Sequence, residues 1–193
     1  MKSKFFKNKN TGYTLIETLV ALSIFSISIL GILVTLSQSV ADTSYAQKKV
    51  VAAYLAQEGI EYVRNLRDTY MIYNTNNPKT GWSDFTSRLL TDGCDIGCYF
   101  DPAELVFTDE TQPMLDLGIY PCDAEICPNY LVYNQTTGEY GYSALGENTG
   151  LRRTIRAEQV NANEEKITSI VSWEQGSGSY SVELSDNLFN WIE

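Results

Sequence analysis

Histidine is missing altogether from this 193-residue chain. Its absence removes the commonest general base and the commonest metal ligand. Basic residues are scarce too, 14 Lys and Arg against 24 Asp and Glu, for a net charge of -10. Surfaces that hold nucleic acid depend on clustered cations, so no nucleic-acid contact is expected of so acidic a chain. No nucleophile elbow or phosphate loop is recognisable, and Gly176-Ser177-Gly178 is flanked by strand-like stretches on both sides rather than by a strand and a helix. Neither catalysis nor a cofactor is expected, although paired acids alone are enough for glycoside hydrolysis. Proline is absent before Pro78, and no charged residue lies between Thr18 and Ala41.

That uncharged run is long enough to cross a bilayer as a helix. It follows a short leader carrying Lys2, Lys4, Lys7 and Lys9 and no acid, which orients the leader inside and the bulk of the chain outside. One acid, Glu17, sits at the start of the apolar segment. A carboxylate there costs roughly 2.5 to 3.5 kcal/mol on insertion scales, so it marks a functional residue with a partner. An ordinary signal anchor with an incidental glutamate is the plainer alternative. A cleaved secretory signal fits less well, because the run is too long and its cleavage site would have to follow it, at Ser39-Val40-Ala41.

The basic leader followed by Gly12-Tyr13-Thr14-Leu15-Ile16-Glu17 and a long apolar helix resembles the class III signal peptide of type IV pilins and pseudopilins. The likeness covers residues 1 to about 40. It implies cleavage by a prepilin peptidase between Gly12 and Tyr13 and methylation of the new amine on Tyr13, where the family favours Phe. It implies, further, that Glu17 meets the terminal amine of a neighbouring subunit in a filament, removing two buried charges at once. Many major pilins carry a proline midway along this stem. Here that stretch has none, and Gly31 with the serines at 23, 26, 28 and 37 is left to soften the helix.

Past the apolar run, residues 42–68 hold no proline and place Val51, Ala52, Leu55, Ala56, Gly59, Tyr62, Val63 and Leu66 at helical spacing. Glu61 with Arg64, and Arg64 with Asp68, are spaced to pair along the helix surface. Glycine costs about 1 kcal/mol in a helix interior, so Gly59 on the apolar stripe predicts a sheet packed close against it. Residues 54–68 resemble the stem of PilV-like minor pilins and of the pseudopilin I group. From 69 to about 129 periodicity is lost, and the stretch reads as a long irregular connection with short strands at 98–100 and 104–107. Trp82 within it is either buried or a surface residue for adhesion.

The cysteines fall in two close pairs, Cys94 with Cys98 and Cys122 with Cys127. An exported head with an even count reads as two disulfides rather than a zinc site, with the local pairing and a cross-pairing both open. Asp92, Asp95 and Asp101 are conceivable calcium ligands without EF-hand spacing, solvated acids being the simpler reading. Residues 130–133 and 140–142 flank a glycine-containing turn and read as a hairpin; 151–160, 167–173 and an alternating strand through Tyr180, Val182 and Leu184 follow. The sequon at Asn134 is a weak signal.

The reading is an α+β chain: a cleaved leader at 1–12, a transmembrane and filament stem at 13–41, and a globular head at 42–193 whose antiparallel sheet covers the distal helix at 42–68. The resemblance implies a minor pilin or pseudopilin, an inner-membrane protein with its head outside that later enters a pilus or secretion pseudopilus. Its partners would be other pilins, the prepilin peptidase, the membrane platform of the assembly machine and, before assembly, lipid. A membrane-anchored exported binding or adhesion module is the alternative function. Pilus, secretion pseudopilus and DNA-uptake filament share the same stem.

Overall fold

The computed structural model describes residues 12, 14–73, 80–101, 119–122, 126–142 and 146–191. Tyr13, the lysine leader and the strand expected at 104–107 lie outside them. The chain divides into two compact units, Met1–Ala46 and Gln47–Glu193. Helix α1, Leu15–Tyr73, has residues in both.

In the first unit α1 is apolar and exposed on every side, with Leu15 81%, Phe25 63% and Val40 71% accessible. It is long and apolar enough to cross a membrane, and none of its most apolar window is buried. A helix that is hydrophobic all round has no aqueous face to offer. Serines and threonines within it are satisfied by their own helix: Ser23 donates to the Val20 carbonyl, Ser26 to Leu22, Ser28 to Ile24 and Thr35 to Ile32, at 2.8 to 2.9 Å. In hydrocarbon such back-bonding removes the cost of an unpaired hydroxyl. The helix continues unbroken through Gly31 and all of these serines.

The second unit begins where α1 acquires a buried stripe, Ala52, Leu55, Ala56, Ile60, Val63, Leu66 and Met71. The stripe matches the spacing in the sequence, although α1 runs on to Tyr73 rather than ending near Asp68. It packs on an antiparallel five-stranded sheet in the order β2-β1-β6-β7-β8. The strands are β1 Cys98–Phe100, β2 Ile119–Pro121, β6 Leu151–Asn161, β7 Glu164–Gln175 and β8 Gly178–Phe189. Along β7 alternate residues from Glu165 to Trp173 are buried, which presents one face to the helix. A smaller sheet in the order β4-β3-β5 is built from β3 Val132–Asn134, β4 Glu139–Gly141 and β5 Glu147–Asn148. It contains the hairpin expected around residues 130–142, and its turn uses the Asn134 side chain as an acceptor for the Thr136 amide at 2.9 Å.

One correction concerns the stretch read as irregular. A second helix, α2 Gly81–Thr91, lies within it. Its first residue, Gly81, is buried, and so are Trp82, Phe85, Thr86 and Leu89, a helical stripe of only four side chains. Trp82 is 5% accessible and its ring nitrogen donates to the Ala162 carbonyl at 2.8 Å, so it belongs to the core and not to an adhesive surface. The helix ends at Gly93, whose φ of 74° is the left-handed conformation that closes a helix, with the Cys94 amide returning to the Leu89 carbonyl at 2.9 Å. α2 completes a core that joins Ile60, Val63, Leu66 and Met71 to Ile155, Ala157, Ile167 and Leu188. Each large side chain buried there contributes about 1.5 to 3 kcal/mol.

Gly59 marks a close approach of α1 to the sheet. A Cβ built there would overlap the Oγ of Ser169 on β7 and lie 3.2 Å from its Cβ. The glycine in the apolar stripe is therefore a packing requirement, as the sequence predicts.

Candidate functional site

The chemistry-bearing segment of the first unit is the entry to α1. Gly12 is exposed and outside regular secondary structure, ahead of the helix. Its chain neighbours aside, no described atom lies within 4 Å of the position its Cβ would take. The Thr14 carbonyl accepts the first helical bonds, from the Glu17 amide at 3.0 Å and the Thr18 amide at 3.2 Å. Glu17 thus stands in the first turn of α1, where unpaired N–H groups and the helix dipole favour a negative charge. From Thr18 to Ala41 no further charge follows. An exposed carboxylate with a long apolar helix behind it is suited to meeting a cation brought by another molecule. Tyr13 lies outside the described residues.

In the second unit, Cys94 pairs with Cys98 and Cys122 with Cys127, the local connectivity. All four cysteines are buried. The first bridge closes the turn leaving α2, and the Cys122 amide bonds to the Gly97 carbonyl at 2.8 Å, so both loops attach to β1 and β2. Among the described residues no three His, Cys, Asp or Glu side chains are placed to hold a metal. Of the acids considered for calcium, Asp92 and Asp101 are buried rather than solvated. Asp92 accepts from Arg88 Nε at 2.7 Å; burial raises its pKa, and the Arg88 charge opposes the shift.

Arg153 carries no motif, and the sequence reading passed over it. It is fully buried on β6, and its Nη1 donates to Glu58 on α1 at 2.5 Å. Its guanidinium lies 3.9 Å from the centre of the Phe100 ring, which stacks on Tyr62 at 3.6 Å. Leu151, Ile155 and Ala157 are buried on the same side of β6, so its period-two alternation was the available signal. Arg64 pairs with Glu61 at 2.7 Å as its spacing suggests, but its other nitrogen reaches Asp186 on β8 at 2.6 Å, while Asp68 pairs with Arg67. Both arginines pin α1 to the sheet.

An open cleft of about 740 Å³ lies beside α1 and the β3–β4 hairpin, with Tyr54, Glu58, Asp101, Asn134, Glu139 and Tyr140 among its walls. Among the described residues no lysine or arginine lines it, and Glu58, one of its three acids, is already committed to Arg153.

Residues 7–33 match the model of the prokaryotic N-terminal methylation motif. The match covers the segment from Lys7 of the leader through the first two thirds of the apolar run. It supports a type IV pilin-like protein that is cleaved and methylated, and with the apolar helix it fits a membrane-anchored, exported chain that acts as a structural subunit. No curated protein and no solved structure matches this chain.

Proposed function

We propose that this protein is a minor pilin or pseudopilin, a subunit of a type IV pilus or of a filament like that of type II secretion. The observation that carries the reading is the methylation motif at residues 7–33 joined to Glu17, the one charge at the head of an exposed apolar helix. Prepilin peptidase cuts between Gly12 and Tyr13, and the new amine on Tyr13 is methylated. Glu17 then draws the terminal amine of a neighbouring subunit as the stem moves from lipid into the filament. The resemblance of residues 54–68 to the stem of the PilV-like minor pilins and of the pseudopilin I group supports that subtype, with the head facing the periplasm or the cell surface.

Co-expression with a prepilin peptidase and a filament-assembly machine tests this. The mature chain begins at Tyr13 and carries an N-methyl group by mass spectrometry. Gly12→Val leaves the chain uncut. Glu17→Ala is cut normally but stays in the membrane fraction when filaments are sheared off, since breaking a buried ion pair typically costs about 3 to 5 kcal/mol. An N-terminus near Asp42, or an uncut chain in the presence of active peptidase, overturns the assignment; normal filament entry of processed Glu17→Ala overturns the charge pairing alone.

A further inference from the structure

The two edges of the five-stranded sheet are unlike. At one edge β2 is three residues long and ends in Pro121, which has no amide to offer. At the other, β8 extends over twelve residues and, among the described residues, pairs on one side only, with β7. Natural sheets protect long edges with lysine, proline, bulges or a covering segment. β8 has no Lys, Arg or Pro, and its pairing with β7 runs without a register shift from Gln175↔Gly178 to Glu164↔Phe189.

The two-residue turn settles which groups are open. In such a hairpin the closing pair, Gln175 with Gly178, is hydrogen-bonded, and bonded pairs then recur at every second residue. Even-numbered residues of β8 therefore bond to β7. The backbone groups of Ser179, Ser181, Glu183 and Ser185 are directed outward along the edge, while the Asn187 amide is taken by the Asp186 side chain at 3.0 Å. The side chains are unfinished as well. Tyr180, Val182 and Leu184 stand opposite Trp173, Val171 and Ser169, on the face that is buried elsewhere in the sheet. Yet Tyr180 is 39% and Leu184 38% accessible. An added strand with inward apolar side chains would cover that row.

Charge selects the occupant. Glu183 is exposed at the middle of the edge, and the chain carries -10. A second copy paired antiparallel with Glu183 on the two-fold axis would set Glu183 against the copy's Glu183, and like charges opposite one another destabilise a sheet. We propose that the β8 edge is a docking surface that takes up, as a sixth strand, an extended segment of another protein with alternating apolar residues and lysine or arginine opposite Glu183. This surface is independent of the processing at Gly12.

The test uses the full chain in detergent micelles and a labelled, capped octapeptide of alternating valine and lysine, followed by fluorescence anisotropy and residue-resolved amide exchange. Binding should slow exchange at Ser181, Glu183 and Ser185. Ser181→Pro and Ser185→Pro each remove one outward amide without touching the β7 ladder, and should weaken binding at least about tenfold. Leu184→Lys, which keeps every amide, should weaken it similarly, and so should a peptide with glutamate in place of lysine. No binding, binding that leaves those three amides unprotected, or undiminished binding by both proline variants overturns the proposal. So does a concentration-dependent dimer that protects the same amides, because a second copy would then own the edge.

Discussion

The approach of α1 to β7 is best tested by filling it. Gly59→Ala gains about 1 kcal/mol of helix propensity. Its new Cβ would overlap Ser169 Oγ, and Ser169 is fully buried among well-packed neighbours. Overpacking of that kind typically costs about 1 to 3 kcal/mol, so Gly59→Ala should lower stability by about 1 kcal/mol net. Among the described residues Ser169 Oγ has no hydrogen-bond partner. A buried polar atom left unsatisfied costs about 1 to 3 kcal/mol, so Ser169→Ala alone should raise stability by about 1 kcal/mol. In the double variant the oxygen that met the new methyl is gone and the helix gain returns, leaving only the Cβ pair at 3.2 Å to relax. The two substitutions should thus couple favourably by about 1 to 2 kcal/mol, well beyond the additivity expected of independent sites. Urea denaturation of the full chain in detergent micelles reads this out through Trp82 and Trp173, which are both buried. If Gly59→Ala stabilises the protein while Ser169 is present, or if the two changes simply add, the close approach is not what requires glycine.

Two further outcomes follow from buried charge. Glu165 is buried on β7, and desolvation raises its pKa above the ordinary 4.5. The folded state thus holds that proton more tightly than the unfolded one, and the burial penalty grows as pH rises from the ordinary value through the raised one. Glu165→Gln should stabilise the protein at pH 7, with the advantage fading as pH falls from the raised value to 4.5 and gone below it in parallel denaturation series; a constant advantage would show that charge is not its source. Arg153→Met keeps the volume and leaves Glu58 an exit to water, since that side chain is 44% accessible. It should change stability by less than about 1 kcal/mol, whereas Glu58→Gln strands a buried cation and should cost about 1 to 3 kcal/mol, below the usual range for a buried pair because solvent reaches Glu58. The reverse order in thermal unfolding would refute this account of the pair.

What the sequence determined by itself is whatever neighbouring residues specify together. The uncharged run, the glutamate at its head and the methylation motif depend only on composition and order along the chain. The stripe of α1 and the strands β6, β7 and β8 were legible because long periodic segments repeat their signal many times. Gly59 was legible since a helix tolerates glycine poorly without a packing reason. α2 was not read, because its four buried side chains repeat the helical period scarcely once among serines, an aspartate and flanking glycines. The disulfide connectivity, the order of strands in the sheets and the partners of Arg153 and Arg64 lay beyond any local pattern. Glu58 and Arg153 are separated by 95 positions and Arg64 and Asp186 by 122, and such pairs exist only once the helix lies across the sheet. The same holds for the edge of β8, whose outward amides are a property of its position at the end of the sheet and of the turn register that leads into it.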